Sequence, residues 1–292
     1  MEPLTNAQRR AVLSEFLDRI EDGKALLPDP NPLPYDPVPA IATVAWSIPI
    51  VVEMVAGELC ELTNQLNHWR AGLRRWHAWN QVLAAHGDEV RWMTEWEWVE
   101  PLAFHCMFQP SGTRDRFTMV ATNALHQVRM ALDQKLKDEL LGDATHPTAP
   151  KRHLSRRDKE KQLRALVTPW STGKAFVQAH GQLDDVAHRR STSDFRNRAS
   201  HGIAPRFSIG LTHIVTRACV QATRLEEQPD KTFIVVPVPG KMSTSYGYGG
   251  MQPLSMLVAW ETNRAQFELA RDAFDTYVAL LTEATAAMRG RQ

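Results

Sequence analysis

The chain has 292 residues, 34 of them basic and 33 acidic: enough for one large domain or two small ones, with no global field to draw in nucleic acid or a membrane surface. Its three cysteines, Cys60, Cys106 and Cys219, lie far apart and outside any C-x-x-C pair, which argues against a zinc knuckle and for a reduced, cytoplasmic setting. The N-terminal stretch carries acids where an export signal needs an unbroken apolar run, so no signal is expected.

In chain order, the first helix is predicted from about Asn6 to Asp22, with Val12, Leu13, Phe16, Leu17 and Ile20 on one face, Thr5 or Asn6 as cap and Gly23 as stop. Prolines at positions 28, 30, 32, 34, 37 and 39 remove backbone donors and favour extended geometry, so this segment reads as a stiff connector. Residues 1–39 therefore form an N-terminal helix and strap, and 40–292 the main body.

The most apolar run, Val38 to Val52, stops at Glu53, short of the ~18–20 residues that span a bilayer, and reads as a buried helix. From Ala40 to about His86 the only strong breaker is Pro49, and Val51, Val55, Leu59, Leu62, Leu66, Trp69, Leu73 and Trp76 recur at helical spacing. A very long helix or a kinked pair is predicted there. The tryptophan-acid alternation inside Asp88 to Glu100 fits either a strand or an irregular wrap and carries no assignment.

A clear stripe follows, from Phe117 through Val120, Ala124, Leu125, Val128 and Leu132 to Leu136, with Gly142 as its stop. Lys151 to Arg164 is densely charged, and a helix is expected around Gly173 to Arg189. Thr232 to Val238 reads as strand, and with SYGYGG behind it predicts a small hairpin or flap over 232–250. A long helix from about Pro253 to Met288 closes the chain, with Leu257, Trp260, Phe267, Ala270, Phe274, Tyr277 and Leu281 inward. The fold class is all-α: a helical bundle with one small β element.

The metalloprotease, P-loop, dinucleotide and α/β-hydrolase signatures are all missing from the sequence. His105 and Cys106 have no further ligands at short spacing, so no metal and no cofactor are expected. What remains is FRNRASHG, Phe195 to Gly202. Arg/His spacing alone does not single it out: Arg70 with His77, and Arg206 with His213, have six residues between them. Local chemistry does more. Ser191, Ser193 or Asp194 can cap a helix that begins near Arg196, Asn197 and His201 are four apart and would share a face, and Gly202 and Pro205 end the helix beside the imidazole.

The Arg196-Asn197-x-x-x-His201 arrangement resembles the R-x(4–6)-H signature of HEPN domains, in which a polar residue commonly follows the arginine. The match covers about Asp194 to Gly202. The resemblance implies a compact helical bundle, usually dimeric, and in many members a metal-independent endoribonuclease acting as a toxin or defence effector. His201 would then serve as general acid or base, Arg196 would stabilise charge on the phosphate, and Asn197 would orient a neighbour. RNA, a second copy, and an antitoxin or defence-system protein are the implied partners, with no membrane. About ninety residues follow the motif, where the family pattern places its last main helix, so the bundle would carry an inserted β element.

Arg156 and Arg157, in the densest positive run, and Arg189 and Arg190, just before the motif, are the candidates for holding RNA. Asp158 and Glu160 interrupt that run, so a solvated helix is the competing reading. Two other readings of the whole stay open: a non-catalytic dimerisation module, and a helical protein that binds a small ligand under the 232–250 flap.

Overall fold

In the computed structural model, which describes residues 3–22, 31–144 and 153–290, Asn6–Asp22 forms helix α1. Thr5 Oγ1 accepts from the Gln8 N–H while Gln8 Oε1 accepts from the Thr5 N–H, a reciprocal cap that satisfies two free donors. The buried stripe is narrower than expected. Val12 is buried and Phe16 stacks on Trp79 at 4.3 Å, but Leu13 faces solvent and Leu17 is 62% exposed. α1 packs mainly against a single helix, so chiefly one line of its side chains is covered.

The proline segment is less uniform than a strap. Pro28 and Pro30 lie outside the described residues, as does Gly23. Leu33 is fastened instead by an asparagine of a later, longer helix: its N–H donates to Asn67 Oδ1 at 2.7 Å and its carbonyl accepts from Asn67 Nδ2 at 3.1 Å. Pro37 and Pro39 belong to helix α2, Pro37–Ala42, whose first turn needs no backbone donors. The expected single buried helix over Val38 to Val52 is thus broken: α2 ends, Trp46 Nε1 donates back to the Ile41 carbonyl, and Pro49 caps α3, Ile50–Ala85.

After α3 come α4, Asp88–Thr94, a π-helical turn at Glu95–Val99, and α5, Glu100–Leu132. The unassigned tryptophan-acid pattern is the π turn, which holds more residues per turn than an α-helix; here Trp98 lies parallel to Trp79 with centroids 5.4 Å apart and Glu97 beside Arg9 at 3.2 Å. α5 stops at Leu132, where Asp133 adopts extended backbone. Leu136 and Gly142 therefore lie beyond it, and Gly142, at φ 99°, shapes a later turn.

Pro110 sits inside α5 and has no N–H to give the Cys106 carbonyl four residues earlier. Asn263 fills the gap. Its Nδ2 donates to the Cys106 carbonyl at 3.0 Å, and its Oδ1 accepts from Trp69 Nε1 at 2.8 Å. Asn263 belongs to α10, Met256–Arg289, so one buried amide joins α3, α5 and α10. Trp69, Phe117, Phe267, Phe274 and Tyr277 fill the core around these three helices. Leu257, expected inward, is 53% exposed, and Met256, Ala259 and Trp260 form the buried face of that turn instead.

α6, Arg156–Val167, is capped by Ser155. The expected helix over Gly173 to Arg189 is two helices, α7, Gly173–Gln182, and α8, Val186–Ser191. Asp184 holds φ 47° between them, and the Asp185 side chain accepts from the His188 N–H at 2.7 Å, restarting the helix.

These helices, with α10, make up one compact unit, Met1–Asp194 with Met256–Gln292, and Phe195–Ser255 makes up a second. The second holds α9, Phe195–Ser200, and an antiparallel hairpin of β1, Val215–Glu227, and β2, Phe233–Tyr248. The register runs from Val215↔Tyr248 to Glu227↔Phe233, with an irregularity between Gln221 and Thr223. The chain is therefore mainly helical with one small sheet. The hairpin is larger than a 232–250 flap: the partner of Thr232 to Val238 lies upstream in β1, and SYGYGG belongs mostly to β2 itself.

Candidate functional site

α9 is six residues long, and the chain enters it through Ser193 and Asp194, both with positive φ. Phe195 anchors it, with its ring 5.4 Å from Phe207. Arg196 and Asn197 lie in the first turn, both exposed. His201 falls just past the last helical residue, in a turn closed by the His201 N–H to the Arg198 carbonyl at 3.0 Å and the Gly202 N–H to the Ala199 carbonyl at 3.0 Å. The shared face of Asn197 and His201 expected from i, i+4 spacing is therefore not that of a regular helix. Gly202, at φ 71°, carries the backbone into a conformation costly for other residues and leaves the imidazole in solvent.

The competing Arg/His pairs differ from this one to different degrees. Arg70 lies in the interior face of α3, 7% exposed. His77 contacts Gln81 at 2.7 Å and the Trp260 ring at 4.7 Å, and burial lowers its pKa. Arg70 is therefore buried and His77 half-buried. Arg206 and His213 are exposed, like Arg196 and His201, so exposure separates the motif from the first pair and not from the second.

Charge is distributed unevenly in Phe195–Ser255. Its acids, Glu226, Glu227 and Asp230, all stand at the turn between the strands, while Arg196, Arg198, Arg206 and Arg217 occupy a stretch without a carboxylate from Phe195 to Leu225. The turn after His201 is tied to the root of the hairpin. Thr212 Oγ1 donates to the Ala204 carbonyl at 2.9 Å, and Thr212 and Met251 exchange backbone bonds at 2.8 and 3.4 Å.

The four candidate RNA-binding arginines belong to the other unit and differ in what surrounds them. Arg156 is committed to protein partners: Nε and Nη2 grip Asp115 at 2.8 and 2.9 Å, Nη1 donates to Asp184 at 2.7 Å, and Nη2 reaches Ser111 Oγ at 2.6 Å. Arg189 Nε donates to the Asp184 carbonyl at 3.0 Å. Arg157 and Arg190 are exposed.

Sequence reasoning missed the buried ionic node that holds Arg156. Asp184 is 5% exposed and its N–H donates to Gln266 Oε1 at 2.7 Å. Burial opposes its ionisation, yet His188, Arg156 and Arg189 outweigh that cost and hold the carboxyl at about 2. Beside it, Arg114 Nε donates to Glu160 at 2.8 Å. Buried His180 sits between the Arg114 carbonyl and Thr118 Oγ1 at 3.1 and 3.0 Å, with its pKa pushed down by burial to about 4. The available signal was Asp185, an N-cap residue three before His188, which marks a new helix inside what reads as a continuous one.

A cavity of about 970 Å³ in the same unit is lined by Asp115, Arg116, Asn123, Asp143, His153 and Lys159 among others. It mixes both charge signs and so favours no single class of ligand. Among the described residues no group of three or more His, Cys, Asp or Glu side chains is placed to hold a metal, and burial pushes the Cys106 thiol up to about 12, where it is not a nucleophile. No described helix is long and apolar enough to cross a membrane.

No family model matches the chain. Neither the curated proteins nor the solved structures contain a match to it.

Proposed function

We propose that this chain is a metal-independent endoribonuclease of HEPN type, working as a homodimer and serving as a toxin or defence effector. The observation that carries this reading is the joint exposure of Arg196, Asn197 and His201 around a helix end, in a unit whose carboxylates are confined to the far turn of its hairpin.

In this reading the His201 imidazole takes the proton from an RNA 2′-hydroxyl as its oxygen attacks the adjacent phosphorus. The bond to the 5′-oxygen breaks, and His201 of a second copy protonates that leaving oxygen. The products are a 2′,3′-cyclic phosphate and a 5′-hydroxyl. Arg196 offsets the charge that builds on the non-bridging oxygens, where a preorganised cation has its largest effect. An imidazole suits the proton transfers because its reference pKa is about 6.5. Asn197 orients Arg196 or the phosphate without carrying a proton.

The test is cleavage of a labelled RNA with product chemistry resolved by end-group analysis. His201→Ala and Arg196→Ala should each lower the rate by at least ~100-fold, wild type should keep its rate in EDTA, and the product should carry a cyclic phosphate. Undiminished cleavage in both variants would end the proposal.

A further inference from the structure

The hairpin carries a feature that the catalytic reading does not use. In an antiparallel pair, cross-strand partners and alternate residues share a face. From the register, Val215, Arg217, Cys219 and Gln221 of β1 therefore stand with Tyr248, Tyr246, Thr244 and Met242 of β2. Every one of these is exposed, Tyr246 at 69% and Tyr248 at 94%. Arg217 Nη2 donates to Thr244 Oγ1 at 3.2 Å, which lays the guanidinium along the face beside the rings. The opposite face of the same segment carries no ring and no charge: Thr216, Ala218 and Val220 stand with Gly247, Ser245 and Ser243.

We propose that this face is a binding platform for single-stranded RNA, on which Tyr246 and Tyr248 stack bases and Arg217 meets the backbone. The inference rests on the ribonuclease reading and supplies its substrate class: an unpaired strand rather than a duplex.

Three observations favour this occupant. Tyr246 and Tyr248 are two residues apart along a strand, about 6.6 Å, a step that suits successive bases of an extended single strand. Within the unit no carboxylate occurs from Phe195 to Leu225 or from Lys231 to Ser255, so the platform and the chain on either side of it carry positive charge, as a polyanion requires. The rings also stand at the hairpin end that is tied, through Thr212 and Met251, to the turn following His201. A strand stacked there would lead toward the proposed catalytic residues. A second copy of the chain is the weaker fit: protein interfaces centre on a contiguous apolar core, whereas on this face Arg217, Thr244 and Gln221 interrupt the apolar residues between the Val215 and Tyr248 pair at one end and Met242 at the other.

The test is fluorescence anisotropy with a fluorescein-labelled oligouridylate carrying 2′-O-methyl groups, which cannot be cleaved by 2′-hydroxyl attack. Wild type should bind, and Tyr246→Ala/Tyr248→Ala should weaken binding by at least ~10-fold with an unchanged melting temperature. Tyr246→Phe/Tyr248→Phe should retain most of the affinity, and a matched duplex should bind less well than the single strand. Equal affinity of wild type and the double alanine variant would overturn the proposal. So would a double variant that changes the sedimenting mass while binding RNA normally, because the face would then belong to a second copy. Oligouridylate binding that depends on the tyrosines, without cleavage of unmodified RNA, would defeat the nuclease reading and leave the platform standing. Cleavage that depends on His201 but not on the tyrosines would do the reverse.

Discussion

His180 and Asp184 make the acid limb of stability readable in two separate steps. Burial pushes His180 down to about 4, below the ~6.5 of an unfolded histidine, so the fold favours the neutral ring. That stabilisation is complete above about pH 6.5 and is lost as the pH falls toward 4. Asp184, held at about 2, contributes above the unfolded value near 3.9 and loses its contribution as the pH falls from there toward 2. A calorimetric series of melting temperature against pH should therefore show His180→Gln flattening the limb between pH 6.5 and 4 while leaving the lower drop in place. Parallel curves would contradict it. Arg156 belongs to the same node, with its side chain 27% exposed against Asp115 and Asp184. Arg156→Ala should cost roughly 2 kcal/mol or more, because buried Asp184 keeps only His188 and Arg189 of its three cationic partners and Asp115 and Ser111 lose theirs. Arg157→Ala, at an exposed position, should stay within about 0.5 kcal/mol. Urea unfolding of the two variants checks this, and separates lost stability from lost RNA affinity.

Helices α3, α5 and α10 are held in register by the amide that compensates Pro110. Asn263→Leu leaves both Trp69 Nε1 and the Cys106 carbonyl without their partner in the core, which should cost about 2–4 kcal/mol. Pro110→Ala supplies the backbone N–H that the Cys106 carbonyl lacks. In a double-mutant cycle by chemical denaturation, Asn263→Leu should accordingly cost about 1 kcal/mol less in the Pro110→Ala background; strict additivity would show that the amide is not acting for the missing donor. At this scale α1 and α10 were legible from periodicity, α1 also from its Thr5 cap. The first half of α5 was not, because a proline and a π turn both disrupt the spacing on which periodicity depends. β1 was missed for a different reason: it is exposed on both faces along nearly its whole length, so no burial imposes an alternation on its sequence.

The nuclease reading makes the molecule's oligomeric state part of its chemistry, since a single copy offers one Arg196 and one His201 where the reaction uses both an acid and a base. Sedimentation should give about twice the 33.0 kDa of the chain, and specific activity should fall on dilution as dimers dissociate. Full activity from a sedimenting monomer would contradict the two-copy mechanism. The candidate site itself was legible because its marks are local: an arginine with an amide beside it, a histidine, then a glycine. The node around Asp184 was not, because its members, from Ser111 to Gln266, are distant in sequence and meet only through packing.

By itself, the sequence determined the helical class, the long central and closing helices, the presence of a strand after Thr232, and a short polar motif ending at a glycine. Each of these follows from interactions within a few residues, where side-chain period and backbone preference act directly. Tertiary structure decided what depends on partners far along the chain. It gave the strand after Thr232 its partner in β1 and the Cys106 carbonyl its amide from α10. It bound Arg156 to carboxylates while leaving Arg157 in solvent, and it aligned Tyr246 and Tyr248 beside Arg217. Burial and cross-strand register are properties of contacts between segments, and no local pattern encodes them.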